Sequence, residues 1–192
     1  MTDPGSRPKP CLGGPETSAQ RPPDLPTIYR SEFAYVWKTL RRLGAPLPDL
    51  EDLAHDVFVV VHRHLGDYDP ARPLRPWLFG IALRVVYDFR RLQRNLREFP
   101  RERVEPVDAA PTPHERMEGM EARALLMKAL DALDLDRRAV FVMHELDEVP
   151  VPEIALALAI PLNTAYSRLR LARADMAAWI VRFRSAERRR DD

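Results

Sequence analysis

The sequence predicts an all-α protein made of two small helical bodies joined by a flexible linker. Apolar residues recur at helical steps of three and four on both sides of the chain's middle. Prolines at 100, 106, 111 and 113 punctuate the segment between those stretches and mark a boundary. Val151 to Arg173 reads as two short helices folded around a tight turn, the second carrying arginines on a polar outer face.

In chain order, residues 1–26 are rich in proline, glycine and small polar residues without periodicity, the composition of a disordered tail. The first body spans 27–97. Its first helix, Ile28 to Leu43, turns Phe33, Val36, Trp37 and Leu40 inward and stops at Gly44. The second starts at Asp49, a good N-cap, and Glu51 and Asp52 suit the positive end of the helix dipole. Leu50, Leu53, Val57 and Val61 line one face, and Phe58 with Val59 widens the apolar surface beyond that stripe. That surplus fits either core or a docking face for a partner helix.

Leu65 to Pro76 is a proline-punctuated loop carrying Tyr68, Arg72 and Arg75. The third helix runs from Trp77 to Leu96, with Leu78, Ile81, Val85, Phe89 and Leu92 expected inside and Trp77, Arg84, Tyr87, Arg90, Arg91 and Arg94 on other faces. Aromatic rings among guanidinium groups suit single-stranded nucleic acid, where bases stack at about 1–3 kcal/mol each and cations follow the backbone. Completing a core is the other use of such rings.

The linker covers 98–117, the second body 118–184, and 185–192 is expected to be a disordered, solvated end. Glu118 to Leu133 and Asp136 to Asp147 are the next two helices. Glu153 to Ala159 follows, with Ile154, Ala155 and Leu158 at helical spacing and prolines 150 and 152 suiting its first turn. Pro161 ends it, and Asn163 is the expected N-cap of a helix continuing to Phe183. Ala165, Leu169, Ala172 and Met176 recur at four, three and four and form its buried stripe. Asn163, Thr164, Tyr166, Ser167, Arg168, Arg170 and Arg173 then face outward or lie at its margin, a set matched to base edges and phosphates in a major groove. An antiparallel hairpin with a solvated arginine face is the plainer reading of the same pattern.

Composition excludes several functions. Seven glycines, with no GxGxxG or GxxxxGK[ST], provide no phosphate-cradling loop. The single cysteine, Cys11, implies neither disulfide nor CxxC metal site, and no apolar run reaches the roughly 18 residues of a membrane span, so a soluble cytosolic protein with no cofactor is expected. The five histidines form no HExxH, GxSxG is absent, and His55-Asp56 lacks the further ligands that metal-dependent hydrolysis needs, so no catalytic or metal residue is assigned. A net charge of +1 excludes a uniformly basic nucleic-acid binder. Its distribution is uneven: twelve basic against nine acidic residues over 28–98, seven against twelve over 99–150, and eight against five beyond. Two mildly basic blocks flank an acidic middle, as expected if each body meets phosphate.

Asp49 to Arg91, DLEDLAHDVFVVVHRHLGDYDPARPLRPWLFGIALRVVYDFRR, resembles region 2 of the sigma-70 family, and Leu130 to Met176 resembles region 4. Two such modules with only a short linker between them resemble an extracytoplasmic-function (ECF) sigma factor. The carrying pieces are Asp49 to Phe58, the Trp77-Leu78-Phe79-Gly80-Ile81-Ala82 segment with Asp88 and Arg90-Arg91, and Glu153-Ile154-Ala155 followed by Thr164 and Ser167-Arg168-Leu169. The family usually has glutamine at His55, asparagine at Arg84, glycine near Glu148, lysine at Tyr166 and arginine at Leu171.

The resemblance implies a non-enzymatic factor that directs core RNA polymerase to promoters and nucleates DNA melting. Glu51, Asp52, Asp56 and Phe58 would dock on the polymerase. Tyr68, Arg72, Arg75, Trp77, Arg84, Tyr87 and Arg91 would capture the single-stranded minus-ten element. Asn163, Thr164, Tyr166, Ser167, Arg168, Arg170 and Arg173 would hold the duplex minus-thirty-five element. An anti-sigma partner is also implied. The runner-up from another class is a two-domain helix-turn-helix regulator that binds duplex DNA without polymerase, and a third is a decoy that binds anti-sigma factor without melting DNA.

Overall fold

The computed structural model describes residues 24–96 and 115–191. The expected tail over 1–23 and most of the linker, 98–114, lie outside the described residues. Within them every regular element is helical: α1 (Leu25–Arg42), α2 (Leu50–His64), α3 (Leu74–Leu96), α4 (Glu115–Leu130), α5 (Leu135–Phe141), α6 (Val151–Ala157) and α7 (Leu162–Asp191). Short 3-10 turns at Leu47–Asp49 and Leu65–Asp67 flank α2, and a π turn, Val142–Leu146, extends α5.

Helices α1, α2 and α3 pack together around Ile28, Val36, Leu40, Val57, Leu78 and Phe79. Gly44 ends α1 as its sequence position implies: its φ of +86° belongs to the left-handed region, and the Ala45 amide returns to the Leu40 carbonyl at 3.0 Å. Asp49 holds the N-cap position of α2 as expected, but it also closes the preceding 3-10 turn and its side chain makes no capping bond. The third helix begins three residues before Trp77, taking in Arg75 and Pro76, since proline costs nothing in a first turn. Its buried face is also rotated. Phe79, Ala82, Leu83 and Val86 join Leu78 and Ile81 inside, Val85 and Phe89 are half-buried, and Leu92 is exposed.

In the second body Asp134 caps α5 by accepting the Arg137 amide at 2.9 Å. Helix α6 begins just after Pro150 and is closed by Ala159 at φ +53°, with the Ile160 amide on the Ala155 carbonyl at 3.0 Å. Pro161 holds the capping position of α7: its carbonyl accepts the Thr164 and Ala165 amides at 2.9 and 3.1 Å. Asn163 therefore lies inside the first turn rather than at the cap. Ala165, Leu169, Ala172 and Met176 are buried as their spacing requires. The helix continues to Asp191, so 185–191, expected to be disordered, is helical.

The two bodies do not stand apart. One contiguous set of buried apolar residues runs through both, and α3 lies against α6. A Cβ on Gly80 would stand 2.7 Å from the Ala157 carbonyl oxygen, so the backbones meet where side chains usually separate helices.

Candidate nucleic-acid interface

The exposed face of α7 follows from its buried stripe. Asn163, Tyr166, Ser167, Arg170 and Arg173 are exposed, and Thr164 is at the margin. Arg173 pairs with Glu145 at 2.7 Å. Arg168 is turned inward: its Nη2 donates to Asp136 Oδ2 at 2.9 Å.

On the other body, Arg84, Tyr87 and Arg91 are exposed along α3, and Arg91 pairs loosely with Asp88 at 3.4 Å. The Tyr87 hydroxyl donates to Asp136 Oδ1. Burial, that hydrogen bond and the carboxylate's charge push the phenol up to about 12. Arg84, Tyr87, Asp136, Ile160 and Arg168 line one cleft of about 170 Å³.

The loop before α3 is less open than its composition suggests. Tyr68 is buried, with its ring 5.0 Å from that of Trp77 and its hydroxyl donating to the Arg72 carbonyl at 2.6 Å. It braces the loop instead of offering a stacking face. Arg72 pairs with Asp69 at 3.4 Å, while Arg75 pairs with Glu32 at 2.9 Å and lies over the Tyr35 ring. Trp77 is half-buried. Arg72, Trp77, Ile81 and Arg84 share a second cleft of about 260 Å³ with Leu156 of α6.

Helix α2 presents Glu51, Asp52 and Asp56 to solvent, but Phe58 is only 6% exposed, 4.7 Å from the Tyr29 ring and 6.1 Å from that of Phe33. Phe58 belongs to the core. The apolar residue left beside the acidic face is Val59, 47% exposed, one turn beyond Asp56. Two adjacent apolar residues on a helix point about 100° apart, and sequence spacing alone does not say which faces inward.

The residues that sequence reasoning missed are acidic. Asp136 and Asp147 each receive two donors: Tyr87 and Arg168, one from each body, reach Asp136, and Tyr35 Oη at 3.0 Å and Arg42 Nη1 at 2.7 Å, both from α1, reach Asp147. Arg138, almost fully buried, donates to the Arg42 carbonyl and to Asp131 at 2.7 Å, while Arg90 donates to the Leu43 carbonyl at 2.8 Å. Two guanidinium groups thus satisfy the carbonyl end of α1, where the helix dipole favours cations. The only sequence signal was an excess of acid in the segment that supplies Asp131, Asp136 and Asp147.

Family models agree with this geometry. Residues 28–96 match sigma-70 region 2 and residues 123–176 match sigma-70, region 4. The RNA polymerase sigma factor NccH of Alcaligenes xylosoxydans xylosoxydans is 32% identical over 143 residues, covering 72% of this chain and 76% of that protein. The chain belongs to the sigma-70 family. Within the family it is an ECF sigma factor, similar also to the ECF RNA polymerase sigma factor SigL of Mycobacterium tuberculosis strain H37Rv, at 29% identity over 76% of this chain and 82% of SigL.

Two solved structures share the fold of this sigma factor. CnrH in complex with the cytosolic domain of CnrY aligns with a TM-score of 0.57 and 26% identity, covering 81% of this chain and 86% of that one. The sigma factor RpoE in complex with the anti-sigma factor NepR from Bartonella quintana aligns with a TM-score of 0.65 and 18% identity, covering 82% and 96%. Sigma factors are non-enzymatic initiation factors. No group of metal-ligating side chains occurs among the described residues, and no helix there is long and apolar enough to cross a membrane.

Proposed function

We propose that this sigma factor carries core RNA polymerase to promoters by dividing the DNA between its two bodies, with α7 reading the minus-thirty-five element and α3 the opened minus-ten strand. The observation that carries the reading is the burial of Ala165, Leu169, Ala172 and Met176, which leaves Asn163, Tyr166, Ser167, Arg170 and Arg173 on a single solvent face. Amide, hydroxyl and guanidinium groups there match base edges and phosphate, each good bidentate base contact being worth about 1–3 kcal/mol. On α3, Arg84, Tyr87 and Arg91 combine cations with a ring, and Trp77 closes the row at the loop. Holding an unstacked base offsets the few kcal/mol needed to extract it, so melting proceeds on binding energy.

Glu51, Asp52 and Asp56 form the polymerase-docking face of α2, with Val59 in the apolar role that Phe58 does not fill. Region 2 corresponds to 28–96 and region 4 to 123–176, with the tether between them ending where α4 begins at Glu115. The work is done in the bacterial cytosol, without cofactor or metal, and a protein of the anti-sigma class is the expected inhibitor.

Run-off transcription with core polymerase on a promoter library tests the reading. Enrichment of one promoter class, dependent on both protein and polymerase, is expected. Sequence-specific binding of duplex DNA by the protein alone, with no polymerase association, would make it a helix-turn-helix regulator instead.

A further inference from the structure

The exposed edge of α7 changes chemistry along its length. Leu162 and Tyr166 are 44% and 50% exposed, and neither packs against the core. Four residues apart, they stand about 40° from one another around the helix axis, and Arg170 and Arg173 follow within about 40° of Tyr166. One solvent edge therefore runs from two apolar side chains to two cations. Single exposed apolar residues are commonplace, but these two are neighbours on the edge whose far end carries arginine.

The dimensions of a duplex assign each end a different part of it. At a rise of about 1.5 Å per residue, Tyr166 lies about 6 Å along the axis from Leu162, and Arg173 about 16 Å. A major groove about 12 Å wide, entered by the N-terminal residues of a helix, takes the first two at its floor and brings Arg170 and Arg173 to its phosphate wall. At that floor an apolar side chain has few partners. Guanine, adenine and cytosine present acceptors and donors that it would leave unpaired, whereas the thymine C5 methyl is an apolar group on the base edge itself.

We propose that Leu162 and Tyr166 read thymine methyl groups in the duplex element held by α7. The proposal rests on the assignment of α7 to the minus-thirty-five duplex. Since the two side chains are about 6 Å apart along the axis and base pairs about 3.4 Å, the methyl groups belong to one or two thymines within about two base steps. Arg170 and Arg173 add affinity on phosphate without discriminating among bases. Asn163 and Ser167, about 100° farther around the helix than Leu162 and Tyr166, are left for the polar edges of neighbouring bases.

The test uses holoenzyme assembled from the full chain and core polymerase, on a promoter enriched from the library. Each thymine of its upstream element is replaced singly by deoxyuridine, which keeps the base pair and removes only the methyl group. Holoenzyme affinity is expected to fall about three- to fourfold at one or two neighbouring positions, the equivalent of one lost methyl contact, and to stay unchanged at the others. Leu162→Ala and Tyr166→Ala, both at exposed positions, should bind the thymine promoter more weakly, each abolishing the deoxyuridine effect at its own position. Arg170→Ala should weaken binding at all sequences and keep the effect. Replacing a sensitive T·A pair by C·G should lower affinity, and 5-methylcytosine in the same place should recover about three- to fourfold. An enriched element without thymine, deoxyuridine without effect at every position, or an effect that persists in both alanine variants and so resides in the DNA, overturns the proposal. A library that yields no polymerase-dependent promoter is a failure of the functional assignment instead, so the two failures are told apart.

Discussion

Gly44 lies at the join between the bodies, against a guanidinium group from each. A Cβ there would stand 2.7 Å from an Arg90 nitrogen and 3.0 Å from an Arg138 nitrogen, at a φ of +86° that L residues avoid. Gly44→Ala should destabilise by about 2 kcal/mol, combining the left-handed cost with displacement of guanidinium groups. Thermal unfolding about 4–8 °C below the parent checks it. Glu148 provides the opposite case. It occupies φ +56° without being glycine, so Glu148→Gly should raise stability by about 1 kcal/mol. Tyr87 adds a pH signature. Its folded phenol is held near 12, above the ordinary 10, so its stabilising contribution is complete below pH 10 and fades as pH rises through the folded value. Asp136→Asn should move one tyrosine midpoint down towards 10, read from the tyrosinate absorbance.

Among the elements, α2 separates a folding role from the docking role proposed for it. Phe58→Ala should cost about 3–5 kcal/mol of stability, because the ring fills the space between Tyr29 and Phe33. Val59→Asp should leave thermal stability within about 0.5 kcal/mol and weaken polymerase binding in a pull-down; equal binding would remove Val59 from the docking face. Helix α7 was the element most legible from sequence, since one four-three-four stripe sufficed to place its buried and exposed sides. Helix α3 was less so: it is apolar on more than one face because it packs on α1 and α2 with one side and on α6 with another. A single-stripe reading consequently placed Leu92 inside and did not include Val86. The cap of α7 also shifted from Asn163 to Pro161, whose carbonyl receives the first amides of the helix.

At the scale of the whole molecule, helical class and both family regions were readable from local pattern, whereas closure was not. It depends on Asp136, Asp147 and Arg138 meeting residues 49–112 positions away, and single charges on helix faces carry no record of such partners. Asp147, only 10% exposed in its side chain, should contribute about 1.5–3 kcal/mol through its two donors. Asp147→Asn is expected to enlarge the radius of gyration in small-angle scattering while leaving helix content unchanged.

The π turn from Val142 to Leu146 carries one residue more than a regular helix would use there, and each residue of a helix turns the chain by about 100°. It works as an azimuth setting for everything that follows. Deleting one residue within it would let α5 run on as an unbroken cylinder, yet swing the exposed arginine edge of α7 roughly a quarter-revolution off its bearing. The resulting protein would keep its secondary structure and lose its aim.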